Sequence, residues 1–257
     1  MSIDFDLDGN AAVITINRPE RHNAMDAEHY AGLSEAWTRV RDDNDIRAAI
    51  ITGAGEKSFT AGADLKTFAG RQEPYADLWL TQRGQLLNRG LEVWKPVISA
   101  VNGYCVGGGM TLLFATDIRV AVDTAMFSIS EVKRGLIAAN GGTQRALRQL
   151  PYAIAMELLL VGDKLSAEEA LRWGLINKVV PRADLLETAL DYAHRISANA
   201  PLAVQATKEL AIRSQDVDIA TGLRFEQLIQ RTLRNTTDVA EGGKAFAEKR
   251  PAVFRGE

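Results

Sequence analysis

The chain is poor in the residues that staple, ligate or kink. It has 257 residues but one cysteine, Cys105, three histidines and seven prolines. A single cysteine excludes an intrachain disulfide framework and any multi-cysteine metal site. His22, His29 and His194 are scattered and offer no metal-ligand spacing, so no metal is expected. Cys105, set beside glycines, reads as a small buried filler, because no sequence feature brings a histidine to activate it. Charge of either sign is not in excess: the net charge of −3 gives no basic footprint for nucleic acid. No apolar run approaches the roughly 18 residues of a membrane span. Residues 1–6 are acidic rather than charged-then-apolar, so a cytoplasmic protein is the expectation. Hydrophobic residues at 46% and charged residues at 25% are ordinary for a globular chain long enough to bury one sizeable core.

What the chain does have is glycine in two informative places. Val101-Asn102-Gly103-Tyr104-Cys105-Val106-Gly107-Gly108-Gly109-Met110 ends an apolar run in a glycine cluster, and Phe59-Thr60-Ala61-Gly62-Ala63-Asp64 repeats the design. Both read as strand, glycine turn, then the start of a helical pattern. Glycine permits close backbone approach, so two such turns can each aim an N–H at one point. Two convergent donors form an oxyanion hole, which stabilises charge developing on a carbonyl oxygen. Enolate or acyl chemistry on a bound carbonyl is the chemistry to seek.

Around these turns the N-terminal half alternates strands with helices. Strands are predicted at 11–16, 47–53, 96–101 and 117–122, with a further extended piece from 125. A helix is predicted over 26–40 with Asp26 as N-cap, and a short apolar helix over 108–115. Residues 67–94 read as loop plus helix. Beyond about residue 140 the pattern turns helical: Ser166-Ala167-Glu168-Glu169 is a capping box, Gly174 stops its helix, and a last strand spans 176–180. Four helical segments follow, at 184–198, 202–214, 217–234 and 238–248. Their apolar residues Leu223, Phe225, Leu228, Ile229 and Leu233 need a cover, either the core or another copy.

Familiar nucleotide and hydrolase signatures fail here. In Gly53-Ala54-Gly55-Glu56-Lys57-Ser58, Glu56 breaks the phosphate loop; the dinucleotide fingerprint beginning at Gly107 meets Leu112 where its third glycine belongs. Ser128 and Ser130 lack a nucleophile elbow.

Taken together, the motifs resemble the crotonase (enoyl-CoA hydratase/isomerase) superfamily. The resemblance runs from Asn17-Arg18-Pro19 and Asn23-Ala24-Met25 through Ala61-Gly62-Ala63-Asp64-Leu65-Lys66 and Lys95-Pro96-Val97-Ile98-Ser99-Ala100-Val101-Asn102-Gly103. It continues through Gly107-Gly108-Gly109, Gly141-Gly142-Thr143-Gln144-Arg145, Gly162-Asp163, Glu168-Glu169-Ala170 and Trp173-Gly174-Leu175-Ile176 to Phe246-Ala247-Glu248-Lys249-Arg250. It implies an α/β fold, a spiral of repeated β-β-α units, with a catalytic core over 1–195 and a helical trimerisation region over 196–257. It implies a coenzyme A thioester as substrate, no permanently bound cofactor, and a homotrimer or dimer of trimers. By position the oxyanion N–H groups fall on Ala63 and Gly108; contacts to the adenine and phosphates fall around Ala24, Lys57, Ala61 and Lys66. Phe246 and Lys249 are placed to reach the CoA of a neighbouring subunit. Lysines suit this role because the nucleotide end of CoA is strongly anionic.

The family's hydratases use two glutamates, and here the first position is Thr111, which cannot exchange a proton with water near neutral pH. The second is Glu131, expected in the extended piece after the next strand, with its pKa raised by apolar neighbours Phe127, Ile129 and Val132. A solvated carboxylate, or a partner for Lys133 or Arg134, is the competing reading. Hydration divides proton work between two groups, whereas moving a double bond between the 3,4 and 2,3 positions needs one carboxylate shuttling on one face. Enoyl-CoA isomerisation is therefore the best fit; hydration or dehydration of an atypical acyl group is the alternative, and a silent CoA-binding protein the rival from another class. Thr111 reads as an inert helix residue or as a partner for a catalytic water. Asn140 is an N-cap or a hydrogen-bonding group of the acyl pocket, and Asp64 caps or orients its turn.

Overall fold

The structure, a computed structural model, describes residues 2–68 and 85–257. Part of the predicted 67–94 loop and helix lies outside the described residues.

Two sheets organise the molecule. Strands β1 (Ile3–Asp8) and β2 (Ala11–Ile16) pair antiparallel; β3 (Ala48–Gly53) then joins β2 in parallel. Continuing in parallel, β5 (Val97–Val101), β7 (Ile118–Val122) and β10 (Lys178–Val180) complete a six-stranded sheet of order β1-β2-β3-β5-β7-β10. The second sheet is built from β4 (Ser58–Thr60), β6 (Tyr104–Val106), β8 (Met126–Ser128) and the antiparallel β9 (Lys164–Ser166). Each turn of the chain thus gives one strand to each sheet and then a helix. β3 and β4 lead to α2 (Leu65–Phe68), and β5 and β6 lead to α3 (Gly108–Leu113). β7 and β8 lead through a 3-10 turn (Glu131–Arg134) to α4 (Gly142–Gln149). This is the predicted β-β-α spiral.

The strands of the large sheet are apolar on both faces because both are covered. All of Val97–Val101 is buried, and α7 (Leu185–Ser197) packs against β2, β3, β5 and β7. Helix α1 (Ala27–Asp42) covers β1 and β2 with Leu33, Ala36, Trp37 and Val40. Its start is fixed as predicted, since the Asp26 carboxylate accepts from the Glu28 and His29 amides. The capping box also forms: Ser166 Oγ accepts from the Glu169 amide at 3.2 Å and Glu169 Oε2 from the Ser166 amide at 2.9 Å. It opens α6 (Ala167–Arg172), which follows α5 (Tyr152–Leu160).

The helical tail comprises α8 (Pro201–Arg213), α9 (Ile219–Leu233) and α10 (Thr237–Glu248). Helices α8 and α9 contain no buried residue, and Leu223, Phe225 and Leu228 stay exposed, so the core of the single chain does not supply their cover. Arg47 anchors the tail's ends by donating to Ser197 O at 2.9 Å and Phe254 O at 2.8 Å. Among the described residues no helix is long and apolar enough to cross a membrane.

One buried side chain stitches the loops that precede the second sheet. Asn23, fully buried with φ 56°, accepts from the Arg18 amide at 2.9 Å and donates to Ala54 O at 3.0 Å and Ser58 O at 2.7 Å. Asn23→Ala strips partners from three backbone groups and puts alanine, which tolerates the left-handed region less well than asparagine, at φ 56°. It is expected to lower unfolding free energy by about 2–4 kcal/mol in urea titrations.

Candidate active site

Parallel pairing in the small sheet delivers three chain segments to one place. β4 lies beside β6, with Ser58 opposite Tyr104 and Thr60 opposite Cys105, and β6 lies beside β8, with Val106 opposite Ser128. The turns leaving these strands are therefore neighbours: 61–64, 107–108 and 129–131.

The first two turns touch through backbone alone. Gly62 has φ +83°, and a β-carbon on it would lie 2.5 Å from the Gly108 nitrogen and 2.9 Å from Val106 O. A β-carbon on Gly108 would lie 3.3 Å from the Ala63 nitrogen. No residue larger than glycine fits at Gly62 without displacing the second turn. Flanking bonds hold the first turn: the Met25 amide donates to Gly62 O and the Asp64 amide to Met25 O, both at 2.8 Å. The Ala63 N–H between them has no protein acceptor among the described residues. Nor has the Gly108 N–H, which opens α3 and so lies outside the helical ladder. Two unengaged amides side by side can together accept one carbonyl oxygen.

Glu131 stands beside them. It opens a 3-10 turn rather than continuing an extended piece, which corrects the sequence expectation: the strand ends at Ser128, and the Leu136 amide closes the turn onto Glu131 O at 3.1 Å. A β-carbon on Gly107 would lie 3.4 Å from Glu131 Oε1. Oε2 is buried and has no hydrogen-bond partner. The competing partners are occupied elsewhere, Lys133 with Asp163 at 2.7 Å and Arg134 with Ser130 Oγ at 3.0 Å. Burial pushes the Glu131 carboxyl above its ordinary range, and a backbone hydrogen bond and the charge of Arg134 only partly oppose this.

Thr111 is buried one helical turn beyond Gly108. Its hydroxyl donates to Gly108 O at 2.9 Å and accepts from Asn88 Nδ2 at 3.1 Å, which leaves one lone pair for a further donor. Asn88 was not legible in the sequence, because it sits in a loop without periodicity. Arg145 fixes it by donating to Asn88 O at 3.1 Å and to Asn140 O at 3.2 Å. The N-cap reading of Asn140 fails. Gly141 occupies that position without a side-chain cap, while Asn140 takes φ 55° and its Oδ1 accepts from Arg89 at 3.4 Å. Tyr30 is the second residue that sequence reasoning missed as a site group; its hydroxyl lies 3.5 Å from where a Gly108 β-carbon would stand. Its only sequence signal was an apolar-face position on α1.

The residues expected around CoA divide into two groups. Ala24, Ala61 and Asp64 cluster: Arg18 donates to Ala24 O at 3.1 Å and to Asp64 at 3.0 Å, and the Ala61 amide donates to His22 O at 3.0 Å. Asp64 also caps α2 by accepting from the Lys66 amide at 3.1 Å. Lys57 lines a cavity of about 270 Å³ with His22 and Asn23, and both Lys57 and Lys66 are exposed. Phe246, 87% exposed, and Lys249, with φ 54°, lie on and just after α10 and make no hydrogen bond to the glycine turns among the described residues.

The family model described as enoyl-CoA hydratase/isomerase matches residues 6–257. The chain belongs to the enoyl-CoA hydratase/isomerase family. The chain is similar over its full length to an (E)-benzylidenesuccinyl-CoA hydratase of Thauera aromatica, 44% identical over 256 residues and covering 100% of both chains. A carnitinyl-CoA dehydratase of Salmonella typhi is 39% identical, covering 99% of this chain and 98% of the relative. Its fold is shared with crystal structures of enoyl-CoA hydratases. That from Bacillus anthracis has a TM-score of 0.92 at 34% identity, covering 100% of both chains. That from Mycobacterium tuberculosis has a TM-score of 0.92 at 37% identity, covering 100% of this chain and 99% of the other.

A carboxylate held in this way costs stability. Because the folded state raises the Glu131 pKa, it binds the proton more readily than the unfolded state. Its contribution is therefore favourable at low pH and is lost as pH rises from the ordinary value of 4.5 through the folded value. Glu131→Gln is expected to raise the urea midpoint at pH 7, with the gain shrinking to nothing as pH falls below 4.5. A variant less stable than the parent at pH 7 contradicts the desolvated carboxylate.

Proposed function

We propose that the chain reversibly adds water across the 2,3 double bond of an enoyl-CoA thioester, with Glu131 as its only acid–base group. The observation that carries this reading is the desolvated Glu131 carboxylate lying beside Gly107, next to the unengaged amides of Ala63 and Gly108. In this reading the thioester oxygen accepts from both N–H groups, which draws electron density from C3. Glu131 takes a proton from water as the oxygen bonds to C3, and the π electrons move onto the thioester oxygen as an enolate. Glu131 then returns the proton to C2, so one water is added and the carboxylate is regenerated. Each amide acts on charge that appears only on the way to the enolate, and such a donor contributes about 10²–10³ in rate. Thr111 and Asn88 suit the water, since the threonine oxygen has a lone pair left for it. No permanent cofactor takes part.

The two full-length relatives named for adding or removing water support hydration over the isomerisation that Thr111 favours when the sequence is read alone. Isomerisation remains the second reading, on one observation: no carboxylate faces Glu131 from position 111. The two reactions share the enolate and the shuttle and differ in whether water is admitted. In either, Ala24, Ala61, Lys57 and Lys66 would hold the CoA nucleotide. Phe246 and Lys249 would act from a second copy in a trimer that covers the exposed apolar residues of α9.

A single carboxylate on one face imposes syn addition. In deuterium oxide the product is expected to carry deuterium at C2 on the same face as the new hydroxyl. Glu131→Gln is expected to lower kcat by about 10²–10⁴ while acyl-CoA still binds. Mass spectrometry of products over an acyl-CoA panel separates hydration from isomerisation and from a protein that binds without turnover. Undiminished turnover in Glu131→Gln, or anti addition, overturns the assignment.

A further inference from the structure

We propose that the cavity bordered by Arg145, Trp94 and Phe114 binds the carboxylate of an apolar organic acid. It measures about 640 Å³, and none of its lining residues belongs to the glycine turns or to the Glu131 turn.

Charge is the first ground. Three carboxylates line the cavity and each already has a base: Asp117 has Lys208 at 2.6 Å, Asp216 has Arg148 at 3.1 Å and Glu92 has Arg213 at 3.2 Å. Arg145 pairs with no carboxylate among the described residues; its bonds run from Nη1 to the carbonyls of Asn88 and Asn140. Burial, and after it the like charge of Arg148, push the guanidinium below its ordinary pKa, which marks a cation short of compensation. An anion seated against it recovers that cost.

Shape is the second. With Nη1 engaged, the guanidinium keeps its Nε–Nη2 edge, whose two parallel N–H groups match the two oxygens of a carboxylate. The fork is held in place by the loop before α4. A β-carbon on Gly141, at φ +87°, would collide with the guanidinium, so the glycine is what lets Arg145 fold back across that loop.

The body of the ligand is the third. Leu87, Trp94, Phe114 and Ile212 give the cavity an apolar wall, which suits an aryl or alkyl group rather than a bare inorganic ion. The three lining carboxylates oppose a multiply charged ligand, so a singly charged acid is selected over a phosphate. Arg145 also joins this cavity to the active site, since Asn88, whose carbonyl it holds, donates to Thr111 at 3.1 Å. The acid is therefore a free one or the far end of an acyl group on CoA, and the test separates the two.

Full-length protein is titrated calorimetrically with phenylacetate and with phenylacetamide, a neutral ligand of the same shape. Phenylacetate is expected to bind saturably and the amide about tenfold more weakly. Arg145→Gln keeps an amide donor but removes the charge and the fork, and is expected to weaken phenylacetate about tenfold or more. Should that variant not fold, Ile212→Trp fills the cavity from its exposed rim and is expected to do the same. No saturable binding, equal binding of the amide, or unchanged binding in whichever variant folds overturns the site. If phenylacetate and butyryl-CoA bind together, the site takes a free acid. If they exclude one another and Arg145→Gln weakens glutaryl-CoA but not butyryl-CoA, it takes the far carboxylate of an acyl group. Exclusion without that glutaryl-CoA effect puts phenylacetate in the thioester pocket and overturns the site. Binding is read without turnover, so the result stands whether or not Glu131 carries out hydration.

Discussion

Backbone contact between Gly62 and Gly108 is the constraint on which the rest of this molecule depends. Neither turn can approach the other with a side chain in the way, and neither would be adjacent without the parallel pairing of β4 with β6. The same pairing rule, continued to β8, brings Glu131 beside Gly107. Three successive turns of one spiral therefore deliver three pieces of a site at the same edge of one small sheet. The large sheet and its helices fix the spacing of those turns; Asn23 and Arg18 lock the loops that the short strands leave slack.

Polar groups are left unsatisfied where the reaction is proposed to occur. The Ala63 and Gly108 amides have no protein acceptor among the described residues, and Glu131 Oε2 is buried without a partner. A buried group left unpaired, as Glu131 Oε2 is, costs stability, and a ligand that pairs with it recovers that cost. A thioester oxygen and a migrating proton are the partners this site would receive. Thr111, already bonded to Gly108 O and Asn88, adds a polar wall without a second proton carrier.

Most of the fold was legible because its demands fall on residue identity. Buried strands such as Val97–Val101 are continuous apolar runs, Asp26 and Ser166 announce helix starts, and only glycine satisfies the turns at Gly62 and Gly107. Glu131 was reachable through family order, though its 3-10 turn was not, since Val132 follows an apolar alternation that reads as strand. β1 was less legible because its alternation of Ile3, Phe5 and Leu7 is spaced by aspartates, which are disfavoured in strands. Tyr30 and Asn88 were silent for a different reason. One occupies an apolar-period position and the other an irregular loop, so only tertiary placement reveals what their polar atoms reach. Asn140 misled because a residue before paired glycines looks like a cap, whereas the left-handed turn moves the cap on to Gly141.

The central claim is that two main-chain amides grip the thioester oxygen. Its most direct test is the infrared carbonyl stretch of an enoyl-CoA labelled with carbon-13 at C1 and bound to the full-length protein. The account predicts a band displaced to lower frequency than in water, and loss of that displacement in Gly62→Ala, whose β-carbon would lie 2.5 Å from the Gly108 nitrogen. A bound carbonyl with an undisplaced band would contradict it.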